Sequence, residues 1–261
     1  MSLTVLIMTD GLRPDALELV HTPNIAALRA RASSKLAAQS LLPNITLPCH
    51  MSIFHSVEPA RHGIVTNRWQ PMARPVSGLV ENASKAGKRC YFFYNWEPLR
   101  DLSRPEHLRL SFFCDNARTE DGDQVVAGEA VRHIGRDAPD FAFVYFGNID
   151  EAGHCHGWMA DGYLRQIERT DVAIGMVLDA IGDQGTVLLQ SDHGGHDRTH
   201  GTDIPEDMTI VWMIAGPGIR REYTVQAQVN LLDTAPTLAR VLGVAADSLW
   251  EGHCIDEVFE N

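Results

Sequence analysis

Short apolar runs alternate with longer amphipathic stretches along the chain. Leu3-Thr4-Val5-Leu6-Ile7-Met8, Arg89 to Tyr94, Phe141 to Phe146, Thr186 to Gln190 and Thr209 to Ala215 are compact and mostly apolar. Most end at Gly or Asp, which predicts buried strands. Between them the apolar spacing is helical. Thr22-Pro23 opens a helix through Ala32, with Thr as cap and Pro at the first helical position. A second helix begins at Leu47 with Pro48 in its first turn, which puts Thr46 at the N-cap. Further helices are predicted over 76–86, 123–134, 163–181 and 231–242. Strands alternating with helices give an α/β fold with a mostly parallel central sheet. Residues 68–140 are less regular, with Trp69, Trp96 and several prolines. They are expected to mix sheet–helix units with a small cap insertion, inside one domain over 1–261.

Three strands end in acids, and this is where chemistry enters. Asp10-Gly11 follows the first strand, Asp150 follows the strand at 141–146, and Asp192 follows the strand at 186–190. In open α/β sheets the C-terminal edge of the strands is where ligands bind. Asp10-Gly11 also reads as plain turn chemistry. Asp150 and His154 lie four apart in a Gly-rich loop that could return both to one ion. His156 competes with His154, and Glu151 reads as a solvated charge. Ser191 to His200 packs two Asp and three His into ten residues. Here His196 competes with His200. Carboxylate and imidazole together suit zinc and similar divalent ions. Three acids on one edge would repel without cations. Asp10, Asp150, His154, Asp192, His193 and His200 plus a hydroxyl fit two metal ions. Thr46 is either a cap or a nucleophile, and Asn67 either a turn residue or an amide aimed at a substrate oxygen. His62 reads as a structural hydrogen-bonding residue.

Charge narrows the partners. Lys and Arg total 22 against 34 Asp and Glu, for a net charge of −12. That gives no general affinity for nucleic acid polymers or anionic membranes. Five cysteines stand at 49, 90, 114, 155 and 254 with no CxxC pair. An odd, scattered set indicates neither a disulfide framework nor a zinc knuckle, and a reducing compartment is the simplest reading. No run approaches the roughly 20 apolar residues that span a bilayer, and no secretory leader is visible, so a cytoplasmic location is expected.

Taken with Pro43-Asn44-Ile45-Thr46-Leu47-Pro48-Cys49-His50, His62 to Asn67, Asp150 to His154 and Ser191 to Gly194, the chain resembles the alkaline phosphatase superfamily, and within it the nucleotide pyrophosphatase/phosphodiesterase branch. The segments occur in family order through most of the chain. The resemblance implies an alkaline phosphatase-like core with helices on both faces of the sheet. It implies one zinc on Asp10, Thr46, Asp192 and His193, and another on Asp150, His154 and His200, with manganese or iron also suiting these ligands. Thr46 would attack phosphorus and carry a phospho-threonine intermediate. Asn67 and the backbone N–H after Thr46 would hold a phosphate oxygen. Leu47 and Tyr145 occupy the positions where family members carry base-stacking aromatics, so both are expected at the substrate, and Leu47 departs from the aromatic type. The implied activity is hydrolysis of phosphodiester or pyrophosphate bonds in a small phosphorylated substrate. Phosphonate hydrolysis, phosphomonoester hydrolysis and a non-catalytic metal-binding role rank below it. Sulfatases need a Cys or Ser oxidised to formylglycine at the nucleophile, which Thr46 cannot become, so that activity ranks low.

Overall fold

The computed structural model describes residues 3–260. In chain order the elements are β1 (Thr4–Thr9), α1 (Pro23–Arg29), β2 (Ser33–Gln39), α2 (Thr46–His55), α3 (Pro59–His62), α4 (Leu79–Lys85), β3 (Cys90–Tyr94), β4 (Leu110–Phe113) and α5 (Gly122–Asp137). They continue with β5 (Phe141–Phe146), α6 (Asn148–His156), α7 (Asp161–Ile181), β6 (Thr186–Gln190), α8 (Pro205–Met208), β7 (Thr209–Ala215), β8 (Tyr223–Thr224) and α9 (Thr234–Leu242). The strands form one eight-stranded sheet in the order β4-β3-β5-β1-β6-β7-β2-β8. Neighbours from β4 to β6 pair in parallel, as do β2 and β8. β7 runs against both of its neighbours. The sheet is therefore mostly parallel, as the alternation of elements predicts.

Side chains alternate across the sheet, so one strand feeds two cores. Leu6, Met8, Phe92, Phe143, Tyr145, Leu188 and Trp212 face one side, against residues of α2, α4 and α9. Val5, Ile7, Phe93, Val144, Phe146, Val187 and Met213 face the other, against α1, α5 and α7. Helices cover both faces, which is why β1, β5 and β6 are apolar throughout rather than alternating. On the first face Phe143 meets the rings of Phe54 and Phe92, each with centroids 5.0 Å away. Its truncation to Ala would cost about 3–5 kcal/mol.

Two elements differ from the sequence reading in a way that matters for the site. Thr46 is the first helical residue of α2, with Ile45 at the cap position. The stretch carrying Asp150 and His154 is a helix, α6, not a loop. Of the glycines that suggested a loop, Gly147 caps its start and Gly157 ends it at φ +99°. The 68–140 region contributes α4, β3, β4 and α5 to the layers, while residues 64–78 run without regular structure.

Candidate metal centre

β1, β5 and β6 lie side by side, so Asp10, Asp150 and Asp192 converge at one sheet edge. Asp10 leaves β1 with its N–H on the Phe146 carbonyl at 3.0 Å. Gly11 turns the chain at φ +68°, and a Cβ there would lie 3.2 Å from Asp150. The turn and the site are thus one feature, since only glycine allows this conformation and this approach. The Gly11 and His193 N–H groups both donate to Asp192 Oδ1, at 3.2 and 3.0 Å. That leaves Asp192 Oδ2 facing the site.

Two groups of ligand atoms result, each with its members within 4.8 Å of one another. One is Asp10, Asp192 and His193; the other is Asp150, His154 and His200. In the first, His193 Nε2 stands 3.2 Å from Asp10 Oδ1 and 3.5 Å from Asp192 Oδ2. In the second, Asp150 places Oδ2 3.4 Å from His154 Nε2 and Oδ1 3.7 Å from His200 Nε2. Helical spacing brings Asp150 and His154 to one face of α6. The His193 and His200 rings stack with centroids 3.8 Å apart, which joins the two groups.

The histidines share one orientation. His154 Nδ1 bonds the Arg198 carbonyl at 2.9 Å, His193 Nδ1 the Gly194 carbonyl at 2.8 Å, and His200 Nδ1 the Asn44 carbonyl at 2.9 Å. A carbonyl only accepts, so each Nδ1 carries the hydrogen. A neutral ring then turns its Nε2 lone pair to the centre, the tautomer that metal-ligating histidines adopt. Asp10 Oδ1, Asp150 Oδ1, Asp192 Oδ2 and His193 Nε2 are buried without a hydrogen-bond partner. Orphaned polar atoms are rare and costly in protein interiors, and here they converge on two points. The donor set fits divalent cations bound through oxygen and imidazole nitrogen.

Electrostatics point the same way. Burial, then the nearby Asp192 and Asp150 charges, hold the Asp10 carboxyl well above its ordinary range. Burial and the charge of His193 push His200 down to about 4. Hydrogen bonding to Asp150 raises His154 to about 9. Burial would raise Asp150 itself, but its bond from His154 and the charges of His193 and His200 bring it below the usual value.

Thr46 is buried at the start of α2, next to residues that reach both groups. Its carbonyl accepts from His50 Nδ1 at 2.7 Å, and that nitrogen lies 3.6 Å from Asp192 Oδ2. Two residues upstream, Asn44 supplies the carbonyl that holds His200. Asn67 reaches the same helix end, its Oδ1 accepting the Leu47 N–H at 3.0 Å. The N–H expected to help hold phosphate is thus occupied by Asn67, which keeps its own amide NH₂.

Leu47 and Tyr145, both expected at the substrate, are buried. Leu47 is 0% exposed and Tyr145 2% exposed. Tyr145 points along the same sheet face as Phe141 and Phe143, and its hydroxyl donates to Asp10 Oδ2. Neither offers a face to a base. His196 is held at 2.8 Å by Asp207, away from the ligand groups, and His156 belongs to neither group. His62 is structural, as expected: it accepts from the Ile64 N–H and bonds Ser52.

Several supporting residues escaped the sequence reading. Trp158 bonds the Gly11 carbonyl through Nε1 at 2.9 Å and lies against Gly153 and Gly195. A Cβ on either glycine would come within 2.6 and 2.2 Å of the indole. Asn95 and Asp123 accept the Gly147 and Asn148 N–H groups at 3.1 and 3.3 Å, capping α6 from outside. The glycines beside His154 and His196 were the available signal for Trp158. Nothing local marks Asn95 or Asp123.

The chain shares an alkaline phosphatase-like fold with solved hydrolase structures, and carries two acid–histidine groups at its sheet edge. Residues 4–208 match the model of the type I phosphodiesterase / nucleotide pyrophosphatase family, and the chain belongs to that family. Mouse ectonucleotide pyrophosphatase/phosphodiesterase family member 1 is 23% identical over 220 residues, covering 73% of this chain and 24% of that protein. The chain thus spans about a quarter of that relative's length. Among solved structures, human ectonucleotide pyrophosphatase / phosphodiesterase 5 superposes with a TM-score of 0.82 at 14% identity over all of both chains. The phosphonate monoester hydrolase of Agrobacterium radiobacter gives 0.79 at 16% identity, covering all of this chain and 77% of that one. No helix among the described residues is long and apolar enough to cross a membrane.

Proposed function

We propose that this chain hydrolyses phosphodiester or pyrophosphate bonds with two divalent metal ions, through a covalent intermediate on Thr46. The observation that carries the reading is the common tautomer of His154, His193 and His200. Each anchors Nδ1 on a backbone carbonyl and turns Nε2 to a cluster of unpaired carboxylate oxygens. Asp10, Asp192 and His193, with Thr46, would hold one ion; Asp150, His154 and His200 would hold the other. Zinc fits this donor set best, and manganese or iron fits it too. Bound there, the ions would supply positive charge against the phosphate oxygens and the attacking oxygen.

The protein's own groups do the positioning. Thr46 Oγ1 bonds to phosphorus as the bond to the leaving oxygen breaks, and the hydroxyl proton ends on the departing group. Water then attacks phosphorus and releases Thr46 with its hydroxyl restored. His50 fixes the first turn of α2 by bonding the Thr46 carbonyl, and the aromatic rings of Phe143 and Tyr145 hold it there. Asn67, anchored by the Leu47 N–H, turns its amide NH₂ toward a phosphate oxygen, the role of an oxyanion donor. The substrate is small and phosphorylated. The five free cysteines support a reducing, cytoplasmic setting.

A phosphonate monoester is the second substrate class, favoured by the likeness to the Agrobacterium radiobacter enzyme. The test is Thr46→Ala in the metal-loaded protein, assayed on bis-p-nitrophenyl phosphate. Turnover should fall by at least about 10³-fold with metal content unchanged within one equivalent. Retention of near wild-type turnover would sink the nucleophile assignment. A phenylphosphonate ester assayed alongside separates the two substrate classes.

A further inference from the structure

Tyr145 is placed by the sheet against a ligand of the metal centre rather than against a substrate. On β5 it continues the face of Phe141 and Phe143, and what separates its position from theirs is a hydroxyl. Tyr145 pairs in register with Met8, and Asp10 stands two residues beyond Met8, so side-chain alternation brings Asp10 to the same face. There the hydroxyl donates to Asp10 Oδ2. It is closely enclosed: Tyr145 is buried, and a Cβ on Gly147 would lie 3.0 Å from the ring and 3.3 Å from the hydroxyl oxygen. The ring meets that of His50 edge to face, with centroids 5.3 Å apart, and His50 holds the Thr46 carbonyl.

That bond divides the work of the two Asp10 oxygens. Oδ2 is held by the hydroxyl, whereas Oδ1 is buried without a partner, 3.2 Å from His193 Nε2. Asp192 is divided the same way. Its Oδ1 takes the Gly11 and His193 N–H groups, and its Oδ2 is left unpaired 3.5 Å from His193 Nε2. Each acid of the first group thus offers one oxygen. With His193 Nε2 and the Thr46 hydroxyl, the group has four donor atoms to give. Four donors of oxygen and imidazole nitrogen match zinc. Manganese prefers six, mostly oxygen. In the second group both Asp150 oxygens stand beside ring nitrogens, 3.4 Å from His154 and 3.7 Å from His200.

We propose that Tyr145 is a positioning residue that sets the metal preference of the first group: by holding Asp10 Oδ2 it keeps Asp10 a one-oxygen ligand, and so favours a four-coordinate ion such as zinc over a six-coordinate ion such as manganese. The inference rests on the two-metal reading of the site and not on its hydrolase activity. The test is Tyr145→Phe, which keeps the ring against His50 and removes only the hydroxyl. Zinc and manganese dissociation constants are measured by chelator competition in the wild type and the variant, and again with His154→Ala added to each, which assigns the first group. Loss of the hydroxyl should weaken zinc there by about 10- to 100-fold. Manganese should weaken less, so the zinc-to-manganese preference falls at least about tenfold, with the second group unchanged. Cobalt in the first group should give the intense visible bands of a four-coordinate ion in the wild type and weaker bands in the variant. Equal weakening of both ions, or of neither, with one cobalt spectrum for both proteins, would overturn the proposal. If the wild type takes up zinc but cleaves no phosphodiester, the hydrolase reading has failed, and the ion preference still decides the role of Tyr145. If the wild type takes up no zinc at the first group, the metal reading and this proposal fall together.

Discussion

The two ligand groups touch through one pair of stacked rings yet rest on different supports. Asp10, Asp192 and His193 come straight off β1 and β6, and all three are 0–1% exposed. Asp150, His154 and His200 come from a helix and a loop, with side chains 13%, 40% and 9% exposed. The first group is fixed by the sheet and sealed from water. The second is fixed by α6, whose own start is capped by Asn95 and Asp123, and it opens to solvent. A sealed charge cluster depends on its cations for stability; an open one is the side from which water can arrive.

The sharpest way to break this contrast is to neutralise one member of each group. Asp192→Asn keeps an oxygen for the Gly11 and His193 N–H groups but removes a buried charge. We expect loss of the metal at that group and at least about 10³-fold lower turnover. In metal-free protein the same change should raise the melting temperature, because it relieves repulsion against Asp10. A lower melting temperature for the metal-free variant would mean the three acids are not frustrated. His154→Ala should remove about one metal and lower turnover by about 10²-fold, with the metal-free melting point at pH 6.5 lowered by only about 2–4 °C.

Acidity sharpens the contrast further. His154 is raised to about 9 in the metal-free chain by its bond to Asp150. A raised histidine stabilises fully below its unfolded pKa, about 6.5, and that contribution fades as pH climbs through 9. With the ring 40% exposed, solvent screening leaves about 1 kcal/mol. Metal-free protein should therefore melt at lower temperature at pH 9.5 than at pH 6.5, with the His154→Ala variant losing less over that range. Loading zinc at pH 7.5 should also release a proton from His154, measurable by calorimetry in buffers of different ionisation enthalpy. A buffer-independent heat would contradict the assignment.

The smallest effect concerns the support of the open group. Asp123 is 0% exposed and accepts from Thr170 at 2.6 Å and Asn95 at 3.1 Å besides Asn148. Asp123→Ala should loosen the start of α6 and weaken the second metal by about tenfold, leaving the first unaffected. Cobalt substitution, read spectroscopically site by site, would show whether the loss is confined to the open group.

What the sequence disclosed tracks burial. β1, β5, β6 and β7 are apolar because both faces are covered, and they stand out in the chain. β2 reads Ser-Ser-Lys-Leu-Ala-Ala-Gln and lies near the sheet's edge, where partial exposure erases the pattern. The six acids and histidines that lie together in two groups stand out in the chain because their residue types cluster just after strands. α6 does not, because its caps are supplied by Asn95 and Asp123, more than twenty residues away in sequence. Period-two alternation sets Tyr145 on the face of Phe141 and Phe143, inside the core.

Trp158 carries a consequence for how this site can change. The indole leaves no space for a Cβ at Gly153 or Gly195, which come from separate segments. Each of the three positions is therefore locked by the others, and no single substitution at either glycine is neutral. A smaller residue at 158 would have to come first, and it would give up one of the two bonds that hold the Gly11 carbonyl, leaving that from the Tyr163 hydroxyl. Mutational drift through this corner runs through a bottleneck of coupled steps.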